Sequence, residues 1–325
     1  MQTVIILQCM LQCMLQSTQY RYIIILLFCV VSISCSSTDE GDDPPFTPTP
    51  QVEDTQGTTD GETDTSQYAA IDFSNWKITL PVDENNNGSP DEYQPAQLVD
   101  FGYQNIEAIA PFMYDDIEDT SLVFHVYPAS STANSSYSRT ELRELINPSN
   151  SRENWTLTQG GTLSGTLKME DISQDGNPSN DYHRTIVMQI HGIISQEDME
   201  THGFSSNNGP PLLKMYWKDG YIWSHKKSLV DESTEGDALL DTSSDTWEDI
   251  KDNMGYVGFE PFTLSITATE ARLEIQLNDQ SPLIYEDVSL EKWPFENYFK
   301  AGNYLTSTDA QAFATLKYYN LEVTH

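Results

Sequence analysis

Beyond residue 35 this 325-residue chain has no cysteine, since Cys9, Cys13, Cys29 and Cys35 all lie near its start. That excludes disulfides and thiolate metal sites from everything downstream, so the folded part must be held by its core. Basic residues are scarce too: 16 Lys and Arg stand against 50 Asp and Glu, a formal net charge of −34. Such an excess of negative charge excludes nucleic-acid backbones and anionic membrane surfaces as partners, and a polyanion could settle only on a local basic cluster. Long apolar runs are limited to one, residues 22–34, and no internal repeat is present. Aromatics, by contrast, are plentiful, with 17 Tyr, 12 Phe and 6 Trp. That composition suits a β-rich protein that handles sugars, and equally an ordinary sandwich core.

The apolar run follows Arg21 and is too short to span a bilayer comfortably, which reads as a signal peptide. It ends in Ser32-Ile33-Ser34-Cys35, similar to a bacterial lipobox although Ser32 stands where leucine is usual. Residues 1–35 are therefore expected to export the chain and to leave a lipid anchor on Cys35 at the outer membrane or cell surface, plain secretion being the alternative. The residues ahead of the run read as an over-extended start, with Met10 and Met14 as alternative initiators. Residues 36–68 are rich in Thr, Pro, Gly and acid, and cannot bury enough surface to offset chain entropy. They read as a disordered acidic linker. Without its acids and Arg21 the remainder still carries about −26.

Residues 69–325 read as one domain. Short alternating runs occur at 76–80, 122–127, 139–145, 161–169, 185–193, 212–216, 263–268, 271–277, 298–304 and 312–323, separated by Asn, Gly, Ser and Asp. The pattern predicts an all-β fold, an antiparallel two-sheet jelly roll. Residues 171–181 and 195–211 are too polar for the core and too long for hairpins, and are expected to be lids. Asp83-Glu84-Asn85-Asn86-Asn87-Gly88 has the oxygen spacing of a calcium loop, but no helix pattern flanks it, so a polar turn is the expectation and no metal is assigned.

Three runs carry a polar face. Alternation puts Arg139, Glu141 and Arg143 on one side of the first, opposite Thr140, Leu142 and Glu144. In the second, Gln189 and His191 oppose Ile186, Met188 and Ile190. In the third, Tyr298, Lys300, Gly302 and Tyr304 oppose Phe299 and Ala301, and Gly302 leaves room for something to approach. Each row alone could be a solvated edge. Guanidinium groups, however, grip carboxylates in a bidentate fork, so a row of them can also be an anion floor.

Together, Ser138-Arg139-Thr140-Glu141-Leu142-Arg143-Glu144, Gln189-Ile190-His191 and Tyr298-Phe299-Lys300-Ala301-Gly302-Asn303-Tyr304 resemble the three signature regions of the alginate lyases of polysaccharide lyase family 7. Residues 76–81 and Asn134 extend the resemblance to roughly residues 70–325. The resemblance implies a jelly roll whose concave sheet forms a cleft for alginate, and β-elimination at 4-linked uronates without a cofactor. It also implies catalytic residues: Arg139 and Gln189 neutralising the uronate carboxylate, His191 as base for guluronate, and Tyr304 as acid and, for mannuronate, also base. Tyr304 would need a cationic field to serve as base, for which Lys300 and Arg143 are candidates. Asn134, Glu141, Arg143, Lys214, Tyr298 and Lys300 are assigned to substrate binding, Glu141 chiefly by orienting the arginines. Isoleucine within the Gln189–His191 motif implies a lean to guluronate-containing blocks. The protein is expected to act as a monomer. Rival readings are a lyase of another polyuronate, a non-catalytic sugar-binding surface lipoprotein, and a sandwich glycoside hydrolase. The last would require facing carboxylates, and no strand has the Glu-x-Asp-x-Glu alternation.

Overall fold

A computed structural model describes residues 65–131 and 135–325. The expected signal segment with Cys35, nearly all of the linker, and Asn134 lie outside the described residues. Tyr68, placed at the end of the linker by composition, packs its ring on Phe101 at 4.6 Å.

The chain alternates strands with turns as the sequence pattern predicts. They are β1 (Ala70–Ile71), β2 (Trp76–Thr79), β3 (Glu92–Tyr93), β4 (Met113–Asp116), β5 (Ser121–Val126) and β6 (Arg139–Glu144). Next come β7 (Gly161–Ile172), β8 (Thr185–Ile193), β9 (Leu213–Lys218), β10 (Tyr221–Leu229) and β11 (Trp247–Tyr256). The last are β12 (Phe262–Thr269), β13 (Arg272–Leu277), β14 (Leu283–Tyr285), β15 (Glu296–Leu305) and β16 (Ala314–Thr324). Helices are confined to short pieces, among them α1 (Pro95–Leu98), α2 (Gln196–His202) and α3 (Val288–Glu291). No helix among the described residues is long and apolar enough to cross a membrane.

One sheet runs β11-β10-β9-β8-β15-β6-β2-β3, and the other runs β14-β13-β12-β7-β16-β5-β4 with β1 beside β16. All pairings are antiparallel except β1 with β16. The inward-facing residues of both sheets, such as Ile78, Leu142, Met188, Ile190, Phe299, Leu167, Ile266 and Tyr318, form one core of a two-layer sandwich. Six strands escaped the periodicity: the short β1, β3, β4 and β14, of two to four residues, and the longer β10 and β11. β10 turns Ser224 and Lys226 inward, where Tyr285 and Asp287 satisfy them, and β11 is a largely exposed edge strand.

The first sheet is not a regular ladder at its centre. Against β9 the register of β8 shifts between Ile186 and Met188. Against β8 the register of β15 shifts between Ala301 and Tyr304. Val187 therefore joins Met188 in the core, and Ile186 turns out to the opposite face beside Tyr304. The simple alternation that put Ile186 inward fails here because a bulge consumes one residue. Gly302, inside the break, has φ of 139°, and a Cβ there would lie 2.6 Å from the Thr140 carbonyl oxygen. Its smallness thus admits the backbone of β6, not a ligand.

Of the two expected lids, one lies over the binding face: Asn207, Asn208 and Pro211 line the cleft beyond α2. Residues 171–181 do not line it. Ser173 bonds Phe313 and His183, while Gln174 bridges Tyr182, so this segment folds on itself beside the second sheet. The loop at 83–88 closes as a polar turn, its Asp83 carboxylate accepting the N–H groups of Asn87 (3.0 Å) and Gly88 (2.9 Å).

Candidate active site

The outer face of the first sheet carries a cleft of about 640 Å³. Because β6, β15 and β8 are adjacent, their three polar rows become one floor. Arg139 is opposite Tyr304, Arg143 opposite Lys300, and Lys300 in turn opposite Gln189. Residues more than a hundred positions apart in the chain thus meet through register.

Glu141 is the hub of this floor. Only 2% exposed, it accepts from Gln189 Nε2, pairs with Lys300 Nζ, and lies 3.5 Å from Arg139 Nη1. It does not line the cleft but lies beneath the floor, where its contacts suit the orienting part expected of it. Its carboxylate cannot occupy all of about ten N–H groups that arginine, lysine and glutamine bring. The three side chains are therefore held in place with donors to spare, and the buried anion offsets one of the two positive charges among them.

Arg143 does not share that anchor. Its guanidinium lies 4.0 Å from the Tyr298 ring centroid and donates to Asn154 Oδ1 (3.0 Å) and the Ser151 carbonyl (3.2 Å). Tyr298 stacks on its other neighbour, His191, with 5.2 Å between centroids and an 11° interplanar angle. His191 Nδ1 is 2.8 Å from the Gly192 carbonyl oxygen; donating there leaves Nε2 as the acceptor. Burial, then Lys300 and the two arginines, push its pKa down to about 3, so the ring is neutral. Burial, followed by Arg139 and Arg143, lowers Lys300 to about 8 against the pull of Glu141.

Tyr304 sits on the other side of the Gln189–Lys300 pair. Arg139 lies 4.0 Å from its ring centroid, Lys300 is 6.0 Å away, and its hydroxyl bonds Ser135 Oγ. Burial raises its pKa above the ordinary phenol value, and Arg139 and Ser135 offset this only in part. Of the two cations expected to supply a field, Lys300 is beside the ring and Arg143 is not. Arg139 is the near cation, Arg143 stacks on Tyr298 instead, and the phenol stays protonated.

Lys214, on β9, lines the cleft beside Gln189, but its ammonium is held by Asp249 at 2.8 Å. Lys227 holds the other Asp249 oxygen at 3.0 Å. Burial raises the Asp249 carboxyl, but His225 and the two lysines outweigh it and drive the pKa far down. Sequence reasoning missed this acid because β11 gave no strand signal. It also missed Ser135 and Tyr137, the latter with its ring 6.4 Å from that of Tyr304, since both lie in the irregular approach to β6. Arg184, over the Tyr216 ring at 5.2 Å, and Lys77, paired with Glu92 at 2.6 Å, complete the charged rim. Among the described residues no group of three His, Cys, Asp or Glu is placed to hold a metal ion.

A neutral imidazole, a protonated phenol and a surplus of cationic donors on one cleft floor can bind a polyanion, take a proton and give one. Comparison with known proteins agrees. The sequence model of the alginate lyase family matches residues 71–325. An alginate lyase of Klebsiella pneumoniae is 24% identical over 294 residues, covering 78% of this chain and 90% of its own length. Among solved structures, the family 7 alginate lyase A1-II′, as a Tyr-to-Phe variant in complex with product (GGG), superposes with a TM-score of 0.61 at 25% identity, over 81% of this chain and 98% of that one. A second variant of A1-II′, with His-to-Asn and Tyr-to-Phe changes and in complex with substrate (GGMG), has a TM-score of 0.59 at 25% identity, over 78% and 94% of the two chains. The fold is accordingly the β-jelly roll of these enzymes, and the chain belongs to the alginate lyases of polysaccharide lyase family 7.

Proposed function

We propose that the protein depolymerises alginate by β-elimination at 4-linked uronates, with Arg139, Gln189, His191 and Tyr304 carrying the reaction. The observation behind this reading is the pair of opposite proton-transfer states on one floor: His191 neutral with Nε2 open, and Tyr304 protonated, on either side of Gln189 and Lys300. The C5 proton of a uronate is weakly acidic because the neighbouring carboxylate is already negative. Removing it requires that charge to be neutralised and the developing dianion to be met by donors already in place. Arg139 and Gln189, oriented by Glu141, suit that task.

His191 would then take the C5 proton of guluronate. Its basicity in the protein alone is low, burial being the first cause and Lys300, Arg139 and Arg143 the next. A bound uronate carboxylate offsets those cations, so the imidazole becomes a stronger base once substrate is present. Tyr304, already protonated, would deliver its proton to the departing O4. This division of labour favours guluronate-containing blocks. Ile190, within the Gln189–His191 motif, is fully buried between the sheets, so any influence it has on block choice acts through packing and not by contact. Arg143, Lys214, Tyr298 and Lys300 would hold neighbouring sugars, and Asn134 is assigned with them.

The direct test is ultraviolet absorbance during incubation with alginate. Elimination creates a conjugated double bond, and hydrolysis or plain binding does not; a flat trace on alginate and other polyuronates would overturn the reading. Residues 1–35 and 36–68 are proposed as export segment and tether, with Cys35 lipidated. Cys35→Ala should release the protein from membranes, and unchanged membrane association removes the anchor from the account.

A further inference from the structure

We propose that Tyr318, on the opposite sheet, is a positioning residue for the chemical step, acting through the break between β8 and β15 and not through substrate. The inference rests on the acid role given above to Tyr304. In the β8–β15 pairing Lys300 faces Gln189 and Ala301 faces Met188, after which Val187, Gly302 and Asn303 have no partner until Tyr304 meets Ile186. The Gly302 N–H and the Val187 carbonyl are buried groups outside the register, and a donor or acceptor left unpaired there is costly.

One hydroxyl serves both. Tyr318, fully buried on β16, accepts from the Gly302 N–H at 2.9 Å and donates to the Val187 oxygen at 2.5 Å. Asn303 ties the same break to the second sheet, its amide donating to the Phe124 and Ala314 carbonyls, each at 2.9 Å. The break is therefore riveted from below. It lies immediately before Tyr304, whereas Tyr298, Lys300 and His191 lie on its far side in regular pairing. A fault at the rivet should displace the proposed acid while leaving the anion grip in place.

Tyr318→Phe keeps the ring, which packs edge-on against Phe124 at 5.2 Å, and removes only the bridging hydroxyl. The expected result is a fall in kcat on the order of 10- to 100-fold, as a displacement of about an ångström produces, with KM for alginate held within about twofold. Asn303→Ala removes the two amide bonds that tie the same break to the second sheet, without pressing on β6, and should split kcat from KM in the same direction; it decides the matter if Tyr318→Phe cannot be purified folded. Tyr319→Phe is the control, because that hydroxyl reaches Asp119 at 3.2 Å and not the cleft sheet. It should leave both constants unchanged. Folded Tyr318→Phe or Asn303→Ala with wild-type kcat overturns the proposal, as does a parallel loss in both constants. Tyr304→Phe measured alongside separates the two ideas: if it keeps its turnover the acid assignment fails, whereas if it is inactive and Tyr318→Phe is not, only the rivet fails.

Discussion

Lys300 gives the most specific pH prediction. The residue is 6% exposed, and burial, reinforced by Arg139 and Arg143 against the pull of Glu141, brings its pKa to about 8 from an ordinary value near 10.5. The protonated form is the one that attracts a uronate carboxylate. At pH 9, one unit above that pKa, about one molecule in ten keeps the charge. If the charge is needed for capture, kcat/KM should fall about tenfold per unit above pH 8. A bound polyanion favours the ammonium, so the limb should move to higher pH in kcat, which reports the complex, than in kcat/KM, which reports the free enzyme. Initial rates of ultraviolet absorbance gain on alginate, at constant ionic strength from pH 6 to 10, measure both. Lys300→Arg keeps its charge throughout this range and should remove the limb, whereas Lys214→Met should retain it. A level kcat/KM from pH 7 to 10, or an unchanged limb in a folded Lys300→Arg variant, would refute the reasoning.

Three further outcomes can be measured. Tyr304→Phe should lower kcat by about 10²- to 10⁴-fold, the usual worth of a general acid, with thermal stability close to wild type; near-native rates on every block type would remove the assignment. Asp249→Asn frees Lys214 and Lys227 from the carboxylate they share. KM for long alginate should then fall roughly two- to fivefold at low salt, the scale of one partly exposed charge pair, and the gain should vanish at high salt. His325 lies against buried Glu144 and the Gly160 carbonyl; burial lowers its pKa, but these two partners more than offset that and raise it above the ordinary histidine value. A raised folded pKa contributes stability below the unfolded value, about 6.5, and loses it as pH rises through the folded one. The Tm advantage of wild type over His325→Gln should therefore be full below pH 6 and shrink on the alkaline side; an advantage that grows with pH contradicts the assignment.

What local sequence determined is the part governed by period two. Runs 139–145, 185–193 and 298–304 alternate because one side meets a core and the other does not, and β6, β8 and β15 follow them closely. Their shared charged and aromatic chemistry was enough to indicate an anion floor. Tertiary structure decided whatever depends on a partner distant in the chain. Glu141 and Arg143 share a face in any strand reading, yet only packing makes Glu141 a buried anchor for Gln189 and Lys300 and sends Arg143 to Tyr298. The bulges that turn Ile186 outward lie where Val187 and Gly302, more than a hundred positions apart, meet the Tyr318 hydroxyl, and leave no trace in the alternation of β8. Asp249 became visible only when an exposed polar edge strand was seen to pair with β10. Hydrophobic alternation reports which side of a strand is buried, because water contact is a local property. Which side chains meet, and which proton each then keeps, is fixed by register and burial.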